Sequence, residues 1–540
     1  MNEATESNSV LLGYDKFGHP LYKVIATPKD KEQWLKLYKM PDRVIPVVFL
    51  PGVMGSNLMN PDDGKPVWTV NGNASVLPWI GRGPVTRKKL LDPTKTVVDP
   101  GGKIETESPE ERLLFKSRRE RGWGEVGAMS YGTFLPWLQE ALNDNQTMLK
   151  NKTSKNGSLT LRERLLDKAL GAEMGESNLT TEEVALSYQY LFPVHAVGYN
   201  WLQSNMDSAK ALARRIEKII GDYNASGRKC EKVILVTHSM GGLVARYYSE
   251  LLEGDYGQKN ILGIVHGVMP DRGAPMAYKR MKAGEAGVTG LVIGGNGAEM
   301  TPVLAQSPGP LQLLPGKGYR MRWFHVEGLE NALPQTDPYR EIYTQRAAWW
   351  GLCEERFINP ENKNMDKVQL DQDWQSFVDI IDGKVRKFIE GIDGHYHEHT
   401  YAFYGNDGKK YPSYAELHWK DISGKHTPEA YRPQVSEQGE IFYPADKFNQ
   451  TIRYATLATP DQGYVTRKYE LSPPAEDGDG TVPVRAAVIN SPKLKAQLGV
   501  GVDHEGAYKS DNTMDARWFT LRSIIRIAQQ VKNTGLAYHE

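Results

Sequence analysis

Apolar, β-branched runs alternate along this chain with amphipathic stretches whose apolar positions recur near every 3.6 residues. "RVIPVVFL" (43–50) reads as the first buried strand and ends at Pro51-Gly52, after two shorter candidates, "LLGY" and "LYKV". "SYGTFLPWLQEALND" (130–144) predicts an amphipathic helix, and "VHAVGYNW" (194–201) predicts a strand. "SNMDSAKALARRIEKIIGDY" opens with Ser204 three residues before Asp207, a capping-box-like start to a long helix. "KVILVT" (232–237), a helix after Ser239, and the strand "ILGIVHGV" (261–268) follow. Strand, helix, strand, helix, strand is the order of a mostly parallel sheet with helices on both faces, an α/β fold that places its ligands at the carboxyl ends of the strands.

The rhythm breaks twice. Residues 60–125 are rich in Gly, Pro and charge and read as loops, and a longer departure occupies 276–394 before "HTYAFYG" (399–405) restores a core strand. A further excursion fills 406–475. The expected organisation is a core of residues 1–275, 395–405 and 476–540, carrying cap insertions at 276–394 and 406–475. No internal repeat or low-complexity tract interrupts it.

At 540 residues, 40% hydrophobic and 24% charged, the chain has material for a large core. Lys plus Arg equals Asp plus Glu at 66 each, so nothing in the charge balance favours nucleic acid. The basic run "KSRRERGW" (116–123) reads as a solvated face, with contact to lipid phosphates as the alternative. Two cysteines, Cys230 and Cys353, exclude a disulfide framework. The polar start "MNEATESNSV" lacks the basic and apolar regions of a signal peptide, and no stretch reaches the 18 apolar residues of a spanning helix. Cytoplasmic synthesis without a signal peptide is expected.

The chemistry gathers where strand meets helix, at Thr237-His238-Ser239-Met240-Gly241-Gly242. A serine hydroxyl is a weak nucleophile near neutral pH and requires a base, an orienting carboxylate and donors for the oxyanion. A tight strand-turn-helix elbow exposes the hydroxyl, and the small Gly241 and Gly242 let the helix approach the sheet. Thr237 stands where the usual pattern has glycine, and His238 is expected to pack beneath the elbow. With the chain order Ser, acid, His, the glycine-rich "AEDGDGTVP" supplies Asp479, with Asp477 as the alternative, and "GVDHEGAY" supplies His504. An EF-hand reading of the aspartates fails: counted from Asp477, the sixth residue is Val482 rather than Gly and the twelfth is Val488 rather than Glu. The oxyanion donors are expected at the Met240 N–H and in "FLPGVMGSNL", where Gly52 opens the turn and Val53 or Met54 offers an amide. His395, His397 and His399 alternate, so a strand would put them on one face, yet no cysteine or spaced carboxylate completes a zinc set. No metal or other cofactor is expected.

At these residues the sequence resembles the lipase branch of the α/β-hydrolases that contains lecithin:cholesterol acyltransferase, lysosomal phospholipase A2 and the PGAP1-like esterases. "VVFLPGVMGSNL", "VGYNW", "HSMGGLVAR", "PGPLQLLP", "YAFYG", "DGDGTVP" and "VDHEGAY" carry the resemblance, in the family's order. It implies an α/β-hydrolase fold and a serine lipase acting on acyl esters of membrane phospholipids, with an acyltransferase or small-ester esterase as the alternative and an inactive lipid-binding protein more remote. "VGYNWLQSN" and "DHEGAYKSD" are similar to bacterial antibacterial lipase effectors delivered by type VI secretion. That narrower resemblance implies a phospholipid surface, an immunity protein and a secretion spike or chaperone as partners, and delivery to a target cell's periplasm. "MTPVLAQSPGPLQLLP", with glycine-rich sequence before it, is expected to be either a mobile lid over Ser239 or a fixed cap core.

Overall fold

The computed structural model describes residues 11–14, 20–25, 34–38, 41–144, 159–285, 290, 294–424, 439–442, 451–458, 463–509 and 514–538. Its centre is a six-stranded sheet, every neighbour parallel, in the spatial order Leu494–Val500, Thr400–Gly405, Ile261–Gly267, Val233–His238, Val47–Leu50 and Val194–Ala196. The middle strands are apolar on both sides because both faces are covered. Val47, Phe49, Ile234 and Val236 face one core with the helices Phe134–Leu142 and Asp515–Ala528. Their alternates Val48, Leu50, Val233 and Leu235 face the other, with Asn205–Ala225 and Gly241–Glu250. That period of two is what the pleat imposes.

Asn205–Ala225 buries Ala209, Leu212, Ala213, Ile216, Ile219 and Tyr223, a stripe at steps of three and four. Ser204 does cap it, but by accepting from the Met206 N–H at 3.3 Å rather than through a box with Asp207. The strand expected over 194–201 is ordered as strand only at Val194–Ala196; beyond it Tyr199 turns inward, donating from its hydroxyl to the Pro51 carbonyl at 2.8 Å. Residues 60–125 hold short elements, including Pro84–Leu90 and a small antiparallel sheet that pairs Leu58–Met59 with Pro66–Trp68 and Val97–Val98. The basic run is not a solvated face throughout. Arg121 is fully buried and Arg118 nearly so, because both bind Glu111 while Arg121 also donates to the Val194 carbonyl.

A second sheet, unannounced by the sequence, joins the two expected insertions. Phe324–Val326 runs parallel to Leu417–Asp421, which continues through Tyr464–Leu471, Ile452–Ala458 and Gly439–Phe442 in antiparallel order. Beneath it Trp349 packs on Trp419 and Tyr469, with ring centroids 5.5 and 4.3 Å apart, in a core of its own. Leu11–Tyr14, Pro20–Ile25 and Trp34–Tyr38 form a separate antiparallel meander. Among the described residues no helix is long and apolar enough to cross a membrane, and Cys230 and Cys353 are both buried and free.

Candidate active site

Val233–His238 ends at Ser239, whose φ of 51° lies in the left-handed region that non-glycine residues rarely occupy, and Gly241–Glu250 begins two residues on. Two contacts hold this strained turn. The Ser239 N–H donates to the Gly267 carbonyl of the neighbouring strand at 2.9 Å, and the helix start lies so close to the end of Val47–Leu50 that a Cβ on Gly241 would sit 2.5 Å from the Pro51 carbonyl oxygen. Thr237 fits where glycine is usual because its hydroxyl meets Nδ1 of His266 at 2.9 Å on the adjacent strand.

Asp479 and His504 arrive from the far end of the chain. His504 Nε2 lies 2.8 Å from Ser239 Oγ, and His504 Nδ1 lies 2.7 Å from Asp479 Oδ2. The other Asp479 oxygen accepts from the Thr481 and Val482 amides at 2.9 and 2.7 Å, which fixes the carboxylate plane. The His504 N–H donates to the Asp479 carbonyl at 2.9 Å, so backbone and side chain hold the pair together twice. Ser239 and Asp479 are buried, and His504 keeps 15% of its side chain exposed. Asp477 stands apart from this line, accepting from the Gly408 amide at 3.1 Å.

The loop after Val47–Leu50 turns sharply. The Gly55 N–H donates to the Gly52 carbonyl at 3.0 Å, and Met54 has a φ of 64°, as the third residue of a type II turn requires. Val53 and Met54 line the same cavity as Ser239, and neither their amides nor that of Met240 has a hydrogen-bond acceptor among the described residues.

Beneath the elbow runs a connection that sequence reasoning did not find. The Gly52 N–H donates to the Tyr131 hydroxyl at 3.0 Å, that hydroxyl lies 2.8 Å from His238 Nδ1, and His238 Nε2 lies 2.8 Å from the His504 carbonyl. A carbonyl only accepts, so Nε2 carries the proton; Nδ1 of the neutral ring then accepts, and Tyr131 donates. Burial pushes the His238 pKa down to about 3, with the adjoining His504 adding to the shift, and burial pushes that of Tyr131 up. Each group therefore stays in the form the chain of bonds requires. His238 does pack beneath the elbow, as its position suggested. Tyr131 left no trace in the sequence, since its partner is 107 residues away.

Ser239 and His504 open into an apolar cavity whose walls include Val53, Met54, Trp68, Trp201, Val303 and Leu314. The "MTPVLAQSPGPLQLLP" stretch forms part of this wall, as the short helices Gly297–Leu304 and Pro308–Leu311. Of the glycine-rich sequence before it, residues 287–289 and 291–293 lie outside the described residues.

His395, His397 and His399 precede the strand Thr400–Gly405 instead of alternating on it. His395 Nδ1 meets the Asp393 carbonyl at 2.9 Å, while His397 meets the Gly257 carbonyl at 3.2 Å and accepts from the His399 amide at 3.1 Å. Among the described residues, the one group of three potential ligands close enough for a metal is His325, Glu416 and His418.

A family model described as "Lecithin:cholesterol acyltransferase" matches residues 180–495, more than half of the chain. No curated protein shows a significant sequence match to the chain. Among solved structures, a chain from "The crystal structure of Tle4-Tli4 complex" superposes with a TM-score of 0.69 at 28% identity, covering 90% of this chain and 98% of that one. The fold is the α/β-hydrolase fold.

Proposed function

We propose, from the premise that this chain belongs to the lecithin:cholesterol acyltransferase family and is therefore an acyl-ester hydrolase or acyltransferase, that it is a serine lipase cleaving acyl esters of membrane phospholipids. The observation that carries the reading is the line Asp479–His504–Ser239 at the mouth of an apolar cavity. Ser239 Oγ attacks the ester carbonyl while His504 Nε2 takes its proton; His504 then returns that proton to the leaving lysophospholipid alcohol. Asp479 keeps the Nδ1–H tautomer in place and stabilises the imidazolium as it forms. Met240, with Val53 or Met54, supplies the amides that receive the oxyanion, each worth about 10²–10³ in turnover. The apolar wall takes the acyl chain, and water releases it from Ser239. An acceptor alcohol in place of water makes the same acyl-enzyme a transferase.

The segments 276–394 and 406–475 act as the cap over this site, and the helices Gly297–Leu304 and Pro308–Leu311 as its lid. Likeness to a chain of the Tle4–Tli4 complex supports a dedicated protein partner, which for an antibacterial effector is an immunity protein held by the producing cell.

Mass spectrometry of mixed phospholipid vesicles incubated with the wild type and with Ser239→Ala tests the proposal. Fatty acid and lysophospholipid appear only with the wild type. Release that survives Ser239→Ala, or wild-type turnover of short soluble esters with intact vesicles, rejects the membrane-lipid serine hydrolase.

A further inference from the structure

We propose that His325, Glu416 and His418 bind one divalent transition-metal ion of the zinc class, at a site on the second sheet separate from Ser239. The three residues come from one rigid place. His325 on Phe324–Val326 and His418 on Leu417–Asp421 stand directly opposite each other on hydrogen-bonded parallel strands, so both side chains leave the sheet on the same face. Glu416 precedes the second strand. Both imidazole Nε2 atoms converge on the same carboxylate oxygen: Glu416 Oε2 lies 3.2 Å from His325 and 3.4 Å from His418.

The spacing suits a metal. With bonds of about 2.0–2.1 Å to nitrogen and oxygen, a tetrahedral ion holds its ligand atoms about 3.3–3.4 Å from one another. Two edges of the triangle already have that length, and all three ligand atoms lie within 4.8 Å. The third edge closes when the two rings, stacked at 4.2 Å between centroids and 5° from parallel, turn toward each other.

Two further observations point to a missing ligand. His325 Nε2 is buried and makes no hydrogen bond, despite its approach to the carboxylate, so the contact is a short distance without a donor aimed along it. Glu416 is also held with one oxygen free: Arg485 and Arg320 lie 3.4 and 3.7 Å from Oε1, leaving Oε2 to the imidazoles. That is the outer-shell support a coordinating carboxylate ordinarily has. The guanidiniums also select the ion. They disfavour hard cations held by charge alone, such as calcium or magnesium, whereas two imidazole donors suit zinc, cobalt or nickel.

All three ligands are half-buried, which leaves a coordination position for water. None of them lines the cavity at Ser239, so the ion takes no part in the chemistry there. It would tie the two parallel strands together and, through Arg485 in the helix Val484–Ala487, steady the segment that follows Asp479.

The test uses the untagged full-length chain, stripped with a chelator, and titrated with Zn²⁺ by calorimetry and with Co²⁺ by visible absorption. We expect one equivalent of either ion, bound at least about tenfold more weakly by Glu416→Gln and lost in His325→Ala/His418→Ala, while Ser239→Ala binds as the wild type does. Glu416→Gln keeps the side-chain shape, so its titration stands if the double variant does not fold. A wild type that takes up no ion overturns the proposal, even if NMR then shows His325 or His418 protonated against Glu416. Uptake that is unchanged in all the variants overturns it equally.

Discussion

Removing a single oxygen from Tyr131 separates the connection beneath the elbow from ordinary packing. In Tyr131→Phe the ring remains in its core, edge-on to Phe49 at 4.8 Å, and only the hydroxyl disappears. Two buried groups then lose their partner, the Gly52 N–H and His238 Nδ1. Each unsatisfied buried polar group costs about 1–3 kcal/mol, so the pair sets a range of about 2–6, and partial relaxation puts the expected loss at about 2–4 kcal/mol. Activity should fall as well. Gly52 begins the turn that presents the Val53 and Met54 amides, and His238 is bonded to the backbone carbonyl of His504; small displacements of such groups reduce kcat about 10- to 100-fold. Urea unfolding and kcat on a soluble short-chain ester measure the two losses. In a double-mutant cycle with His238→Gln, the two changes should couple by about 1 kcal/mol or more, because they share one hydrogen bond. Stability within about 0.5 kcal/mol of wild type together with unchanged kcat would refute the reasoning, as would strict additivity with His238→Gln.

Protonation gives a second route into the same region. Burial holds His238 and His266 at pKa values of about 3 and His397 at about 4, below the ordinary histidine value, so the unfolded chain binds more protons than the folded one between roughly pH 6.5 and those values. Stability should therefore fall as pH falls through that window, by about 2 kcal/mol per histidine at pH 5, and urea midpoints measured against pH should flatten in His238→Gln. Asp479→Asn should lower kcat by about 10⁴ at unchanged vesicle binding, whereas Asp477→Asn should stay within a few-fold; equal losses would reverse the choice of acid. Ala277→Phe, which adds bulk on the cavity wall, should reduce kcat/KM for long-chain esters more than tenfold and spare acetyl esters, as read from a chain-length series.

The sheet was legible because a strand buried on both faces must be continuously apolar. "VVFL", "VILV" and "ILGIVHG" carry that signal within themselves, and the helix Asn205–Ala225 carries its stripe in the same way. The second sheet was hidden for the opposite reason. Phe324–Val326 has three residues, its neighbour Leu417–Asp421 comes some 90 residues later, and the strands Ile452–Ala458 and Tyr464–Leu471 alternate polar residues with buried ones. Pairing at such range is decided by the Trp349, Trp419 and Tyr469 packing beneath it, which no local window contains. The buried Arg118 and Arg121 misled by the same route: a charge run looks solvated until the Glu111 carboxylate folds against it.

For the candidate site, legibility followed from how each residue is held. Ser239 and His504 follow the ends of the strands Val233–His238 and Leu494–Val500, and Asp479 lies in a glycine-rich turn packed against Gly405 at the end of Thr400–Gly405, places where the backbone must do something special and glycines mark it. Tyr131, His325 and His418 sit inside ordinary elements and Glu416 just before one, and their chemistry exists only through partners across the fold. A serine on a left-handed turn also needs an environment that keeps it there. The Gly267 carbonyl holds Ser239 from one side, and Gly52 holds it from the other: a Cβ on Gly52 would lie 2.8 Å from His238 Nδ1 and 3.1 Å from Ser239 Cβ. The residue that opens the candidate oxyanion turn is thus also the one whose small size lets the elbow exist. The candidate nucleophile, base and oxyanion turn consequently form one packed unit, and a substitution at Gly52 should damage all three together rather than one at a time.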